Sequence, residues 1–216
     1  LNNMQITDLK TLDYPPLTDD LEEAKSHLDK YGMALIKDVL SQEEVEEMDQ
    51  RLNEQFMGEE KYQVGSKIRG DEGFGIESSE EEKVSRLVWN LINKGDCFLK
   101  LIDHPKILPL IQHMIGERVC LCSMGAHMNG SGNERMALHQ DQWPLVPHPM
   151  KFPFMANVMY LISDNSPENG GTRLIPGSHK WPLIDYKTAN SEDIQKKAVS
   201  LTCLLYTSDA ADEVSC

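Results

Sequence analysis

Apolar positions recur along this chain in two different rhythms. Over residues 18–31 (TDDLEEAKSHLDKY), Leu21, Ala24 and Leu28 fall on one side of a 3.6-residue spiral. Thr18 is the predicted N-cap of this helix and Gly32 its stop. Met33–Ile36 predicts a short strand. Ser41-Gln42-Glu43-Glu44 has the spacing of a capping box. It opens a second predicted helix running to about Phe56, with Val45, Met48 and Leu52 as its apolar stripe. Residues 57–82 are polar, glycine-containing and acidic, which predicts a loop whose candidate anion contacts are Lys67 and Arg69. Residues 83–95 and 104–115 predict two more helices, the second ended by Gly116.

From Arg118 the rhythm shortens. Apolar segments at 119–124, 138–143, 154–162, 172–175 and 198–202 alternate with turn-formers such as Asn129-Gly130-Ser131-Gly132, Asn169-Gly170-Gly171 and Pro176-Gly177. Helices first and short strands afterwards predict an α+β fold, a helical layer packed on a β-sandwich or barrel.

The chain has 216 residues, 40% hydrophobic and 26% charged, which suits one domain with its own core. A formal net charge of -14 disfavours nucleic acid and anionic membrane surfaces while leaving room for a local anion site. Asp8, Asp13, Asp19 and Asp20 interrupt the first twenty residues, which therefore hold no signal-peptide core. The chain opens on Leu1, so either residues precede it or Met4 is the start. Of five cysteines, Cys120 and Cys122 form a C-x-C pair with no second Cys/His pair at zinc spacing. The expectation is small buried hydrophobes in a reducing, cytoplasmic setting.

The sharpest chemical feature is Leu138-His139-Gln140-Asp141. On a strand, residues i and i+2 face the same way, so an imidazole and a carboxylate are offered to one point. These are two of the three ligands of the two-His-one-carboxylate face that holds non-haem Fe(II) and leaves coordination positions open. Some thirty residues on lies Glu168-Asn169-Gly170-Gly171-Thr172-Arg173-Leu174-Ile175-Pro176-Gly177-Ser178-His179. Its glycines suit tight turns. Thr172 is either a strand hydroxyl bonded to backbone or a ligand contact, and Asn157, polar within an apolar segment, needs a partner. His27, His104 and His113 read as surface or packing residues. His127 and His148, the latter in a proline-rich stretch after the H-x-D segment, are candidate substrate contacts.

The H-x-D segment, the apolar segment after it and the "ENGGTRLIPGSH" hairpin together resemble the phytanoyl-CoA dioxygenase family. The stretches "HPKILPLIQHMIG" and "LDKYGMALIKDVLSQEEVEEM" resemble its lead-in, so the likeness covers nearly all of residues 18–202. The resemblance implies a double-stranded β-helix (jelly roll) with N-terminal helices packed on it. It implies Fe(II) held by His139 and Asp141, 2-oxoglutarate as co-substrate with a contact from Thr172, O2, and hydroxylation of a C–H bond in a small-molecule substrate; a bound co-substrate could also be the partner that Asn157 needs. Asp141 occupies the position that halogenases vacate for halide, which favours hydroxylation. His179 belongs to the family's "PGSH" turn and is not the third ligand. The family's distal His and its 2-oxoglutarate-binding Arg should lie downstream, yet no Arg follows Arg173. Residues 203–216 begin with CLLYTSDAADE, which resembles the translation of a sequencing-library adapter. The expectation is a family domain over 1–202 with the second half of its jelly roll incomplete, a non-native tail over 203–216, and a fragment without activity. The alternative function is a non-catalytic jelly-roll binding module that retains H-x-D.

Overall fold

The structure is a computed structural model that describes residues 12–68, 85–129, 137–142, 152–182 and 184–202. It is a mixture of helix and strand. The N-terminal layer starts with strand β1 (Leu17–Thr18), helix α1 (Leu21–Tyr31), strand β2 (Leu35–Ile36) and helix α2 (Gln42–Tyr62). β1 and β2 pair in parallel, Leu17 opposite Leu35. The cap of α1 is Asp20, not Thr18 as expected. Thr18 is taken up in β1, where its hydroxyl donates to Glu23 Oε2 and accepts the Asp20 N–H. The capping box of α2 is complete: Ser41 Oγ accepts the Glu44 N–H and Glu44 Oε2 accepts the Ser41 N–H. Val45, Met48, Leu52 and Phe56 are its buried stripe, and the helix runs on to Tyr62, past the expected end near Phe56, without burying a further residue.

Residues 83–95 do not form the expected helix. Strand β4 (Ser85–Trp89) occupies the first part and a 3-10 turn, Leu91–Asn93, follows. β4 lies between β3 (Ser66–Ile68) and β5 (Gly125–Met128), antiparallel to both, with Val88 opposite Ala126. Ladder bonds on two sides outweigh the helical spacing read from the sequence, and Leu87 and Val88 are both buried. Helix α3 (Asp96–Leu99) and helix α4 (Leu108–Ile115) complete this half. Met48, Leu52 and Phe56 of α2 meet Val88, Leu91, Cys97, Phe98 and Leu101 in the main core. Burial of each large side chain there contributes about 1.5–3 kcal/mol.

The C-terminal half is less regular than the pattern predicts. Strand β6 (Arg173–Leu174) pairs antiparallel with β7 (Val199–Ser200), and helices α5 (Tyr186–Ala189) and α6 (Glu192–Gln195) lie between them in sequence. Segments 119–124, 138–142 and 154–162 run without strand assignment. The backbone groups of Leu138, Phe154 and Met155 find side chains instead of ladder partners. Among the described residues the sheets are small and separate, and no closed barrel forms. Cys120 and Cys122 are exposed rather than buried, because 119–124 lies on the surface as irregular chain. Residues 203–216 and His148 lie outside the described residues.

The PGSH segment docks on the end of α1. Gly177 donates its N–H to Tyr31 O at 2.7 Å, and the His179 ring lies over Gly32. Gly32 has φ +76°, and a Cβ there would sit 2.4 Å from His179 Nδ1. Glycine is therefore required twice, for the left-handed C-cap and for the close approach.

Candidate metal centre

The H-x-D segment is held by backbone and side-chain bonds that no local pattern announces. Leu138 gives its N–H to Asn190 Oδ1 at 2.8 Å, and Asn190 Nδ2 returns a bond to Leu138 O at 3.1 Å. An amide side chain thus takes the place of a neighbouring strand. Asn190 is fixed in turn by Gln195 Nε2 at 3.1 Å, and Arg173 binds Gln195 through its side chain (2.8 Å) and carbonyl (2.7 Å). Gln142 Oε1 accepts the N–H groups of both Phe154 and Met155. This stitches the segment to residues 152–162, which are anchored on the core through Tyr160 and Ile162. The Tyr160 hydroxyl donates to Leu101 O at 2.9 Å, and burial pushes its pKa up to about 12.

On this frame His139 and Asp141 converge. His139 Nε2 and Asp141 Oδ1 are 3.3 Å apart. The other ring nitrogen, Nδ1, lies 2.9 Å from Ala137 O, which can only accept, so Nδ1 carries a proton. In a neutral imidazole Nε2 then presents its lone pair toward a carboxylate oxygen. Two electron-rich atoms facing each other at this distance call for a cation between them, a proton or a metal ion. Donors about 2.1 Å from one ion, at right angles to each other, lie about 3 Å apart, so the pair has metal-ligand spacing. Asp141 Oδ2 is occupied separately, by Asn157 Nδ2 at 2.5 Å.

Asn157, expected to contact a co-substrate, therefore has Asp141 as its partner. Thr172 lies just ahead of β6: its carbonyl accepts the Leu201 N–H at 2.8 Å and its hydroxyl lies 3.8 Å from Met159 Sδ. Gly170 takes a positive φ (+82°) as the turn requires, whereas Gly171 is there for space, a Cβ meeting Ser166 O at 2.7 Å. His27 is buried in α1, and His113 pairs with Asp29 at 3.0 Å. His179 engages Gly32 and Asp29 O, as a structural residue of the α1 junction. His127 is exposed on β5. Asn190, Gln195 and Gln142 were not anticipated. Asn190 reaches Leu138 from 52 positions away, and an isolated Asn in a polar stretch carries no signal of such a contact. Among the described residues no group of three or more His, Cys, Asp or Glu side chains is placed to hold a metal ion. A cavity of about 250 Å³ lies elsewhere, lined by Glu59, Leu87, Trp89 and Lys94 among others.

Comparison with known proteins adds to this geometry. The sequence pattern of the family described as phytanoyl-CoA dioxygenase (PhyH) matches residues 28–208. The chain is similar to Dioxygenase af480 of Aspergillus fumigatus, 28% identical over 178 residues that make up 82% of the chain and 55% of that protein. It is 24% identical to Dioxygenase sphC of the same species over 173 residues, 76% of the chain and 46% of that protein. A probable alpha-ketoglutarate-dependent hypophosphite dioxygenase of Stutzerimonas stutzeri is 26% identical over 177 residues, 79% of the chain and 57% of that protein. The chain thus spans about half the length of these relatives. No solved structure matches it.

Proposed function

Since the chain belongs to the phytanoyl-CoA dioxygenase family, a family of cupin or jelly-roll type whose relatives here are named as dioxygenases, we propose that it is part of an Fe(II)- and 2-oxoglutarate-dependent oxygenase that hydroxylates a C–H bond of a small molecule. On this reading its helices pack against a jelly roll, part of which the two-stranded pair β6–β7 contributes. The observation that carries the proposal is the convergence of His139 Nε2 on Asp141 Oδ1 at 3.3 Å, with Nδ1 already committed to Ala137 O. That donor set, one imidazole nitrogen and one carboxylate oxygen, suits Fe(II) with positions left open for a chelating co-substrate and O2.

Bound iron would supply the oxidising chemistry. The protein's share is orientation. Ala137 O selects the His139 tautomer, and Asn190 holds the backbone of Leu138 in place. Thr172, just ahead of β6, is the proposed hydroxyl contact of 2-oxoglutarate. Arg173 spends its guanidinium on Gln195 and is not assigned to the co-substrate. With two donors in hand among the described residues, the chain by itself should hold Fe(II) weakly.

The test is succinate formation from 2-oxoglutarate with and without Fe(II), in a protein that carries these residues together with the rest of the family's length. Conversion that depends on Fe(II) and is abolished by His139→Ala and by Asp141→Ala is expected. Conversion unchanged in both variants would reject the assignment. A non-catalytic module would instead bind metal without forming succinate at all.

A further inference from the structure

Asp141 has two carboxylate oxygens, and the structure treats them differently. Oδ1 faces His139 Nε2 at 3.3 Å, while Oδ2 accepts the side-chain amide of Asn157 at 2.5 Å. A free carboxylate can swing about its terminal torsion or bind an ion through both oxygens. An amide donor on one oxygen disfavours both, because either motion weakens that hydrogen bond. Both ends of this bond are themselves anchored. Gln142, next to Asp141, accepts the N–H groups of Phe154 and Met155, and Tyr160 ties the Asn157 segment to the core at Leu101 O. The bond therefore joins two fixed pieces of chain, although the side chains themselves are open to solvent.

We infer that Asn157 is a positioning residue for the metal centre: its amide holds Asp141 Oδ2, so that the carboxylate offers a single oxygen, Oδ1, beside His139 Nε2. Ala137 O does the equivalent for the imidazole by holding Nδ1. Each donor is thus restrained on its far atom and presented by its near one, and the coordination positions beyond the pair stay open. This inference rests on the metal reading given above. The partners that orient a metal ligand are commonly worth about 10–100-fold in metal affinity.

Two substitutions separate orientation from packing. Asn157→Leu keeps the branched shape and removes the donor. Asn157→Gln keeps the amide, and the open surroundings leave room for its extra methylene. The experiment is a titration of the chain with Co(II), followed by the visible absorption of the bound ion, with His139→Ala defining non-specific binding and urea midpoints recorded for every variant. Asn157→Leu is expected to weaken the His139-dependent binding about 10–100-fold at an unchanged urea midpoint, while Asn157→Gln stays close to the parent. If Asn157→Leu binds Co(II) as tightly as the parent, the positioning role is wrong and the metal centre stands. If Co(II) binding in the parent does not depend on His139, the metal centre fails and the role of Asn157 fails with it.

Discussion

At the scale of single residues, a few positions have no acceptable substitute. Gly32 combines a φ of +76° with the His179 ring over its Cα. Gly32→Ala should cost about 1–3 kcal/mol, read as a fall in the urea midpoint. Adding His179→Ala in the same chain should recover the part due to the clash and leave the part due to φ. Ser41→Ala removes the capping-box acceptor of α2 and should cost about 0.5–2 kcal/mol. Glu44, the other half of that box, has its pKa held below the ordinary 4.5, chiefly because its carboxylate accepts the Ser41 backbone N–H. A depressed folded-state pKa means that the unfolded chain takes up the proton first. The contribution of Glu44 is therefore fully present above that ordinary value and disappears as pH falls through the lowered one. The stability gap between the parent and Glu44→Ala should accordingly be widest near neutrality and close in acid.

At the scale of elements, helices α1, α2 and α4 and the strands β6 and β7 were legible, while the strand within 83–95 and the irregular course of 119–124, 138–142 and 154–162 were not. The capping box and the Val45–Met48–Leu52 stripe are local features, and local features survive folding. The 83–95 stretch carries apolar residues at helical spacing, but two flanking strands decide its state, and neither is near it in sequence. The apolar runs at 138–142 and 154–162 promised strands, yet the backbone groups of Leu138, Phe154 and Met155 are met by the side chains of Asn190 and Gln142. The candidate site shows the same division. His139 and Asp141 are i and i+2 and could be read directly, whereas the clamp that holds them comes from residue 190. Asn190→Ala should free the Leu138 amide, which is expected to exchange hydrogen markedly faster by mass spectrometry. A loss of about 1–3 kcal/mol should accompany it, since the Leu138 carbonyl and N–H would lose their partners together. Exchange at Leu138 unchanged by the substitution would show that the clamp is not what holds the segment.

At the scale of the whole molecule, a net charge of -14 on 216 residues sets a field of one sign around the fold. Mutual repulsion should make the urea midpoint rise as salt is added up to about 0.15 M, where screening reaches about 8 Å. No helix among the described residues is long and apolar enough to cross a membrane. Within that acidic surface the proposed centre would hold one divalent ion between His139 and Asp141, and metal-catalysed oxidation locates such an ion directly. The chain is exposed to Fe(II) and ascorbate in air, digested, and its oxidised residues are identified by mass spectrometry. Oxidation concentrated at His139, and dispersed by Asp141→Ala, is the predicted result. Oxidation spread evenly over His104, His113, His127 and His139, or unaltered by Asp141→Ala, would contradict the claim that these two side chains bind one iron.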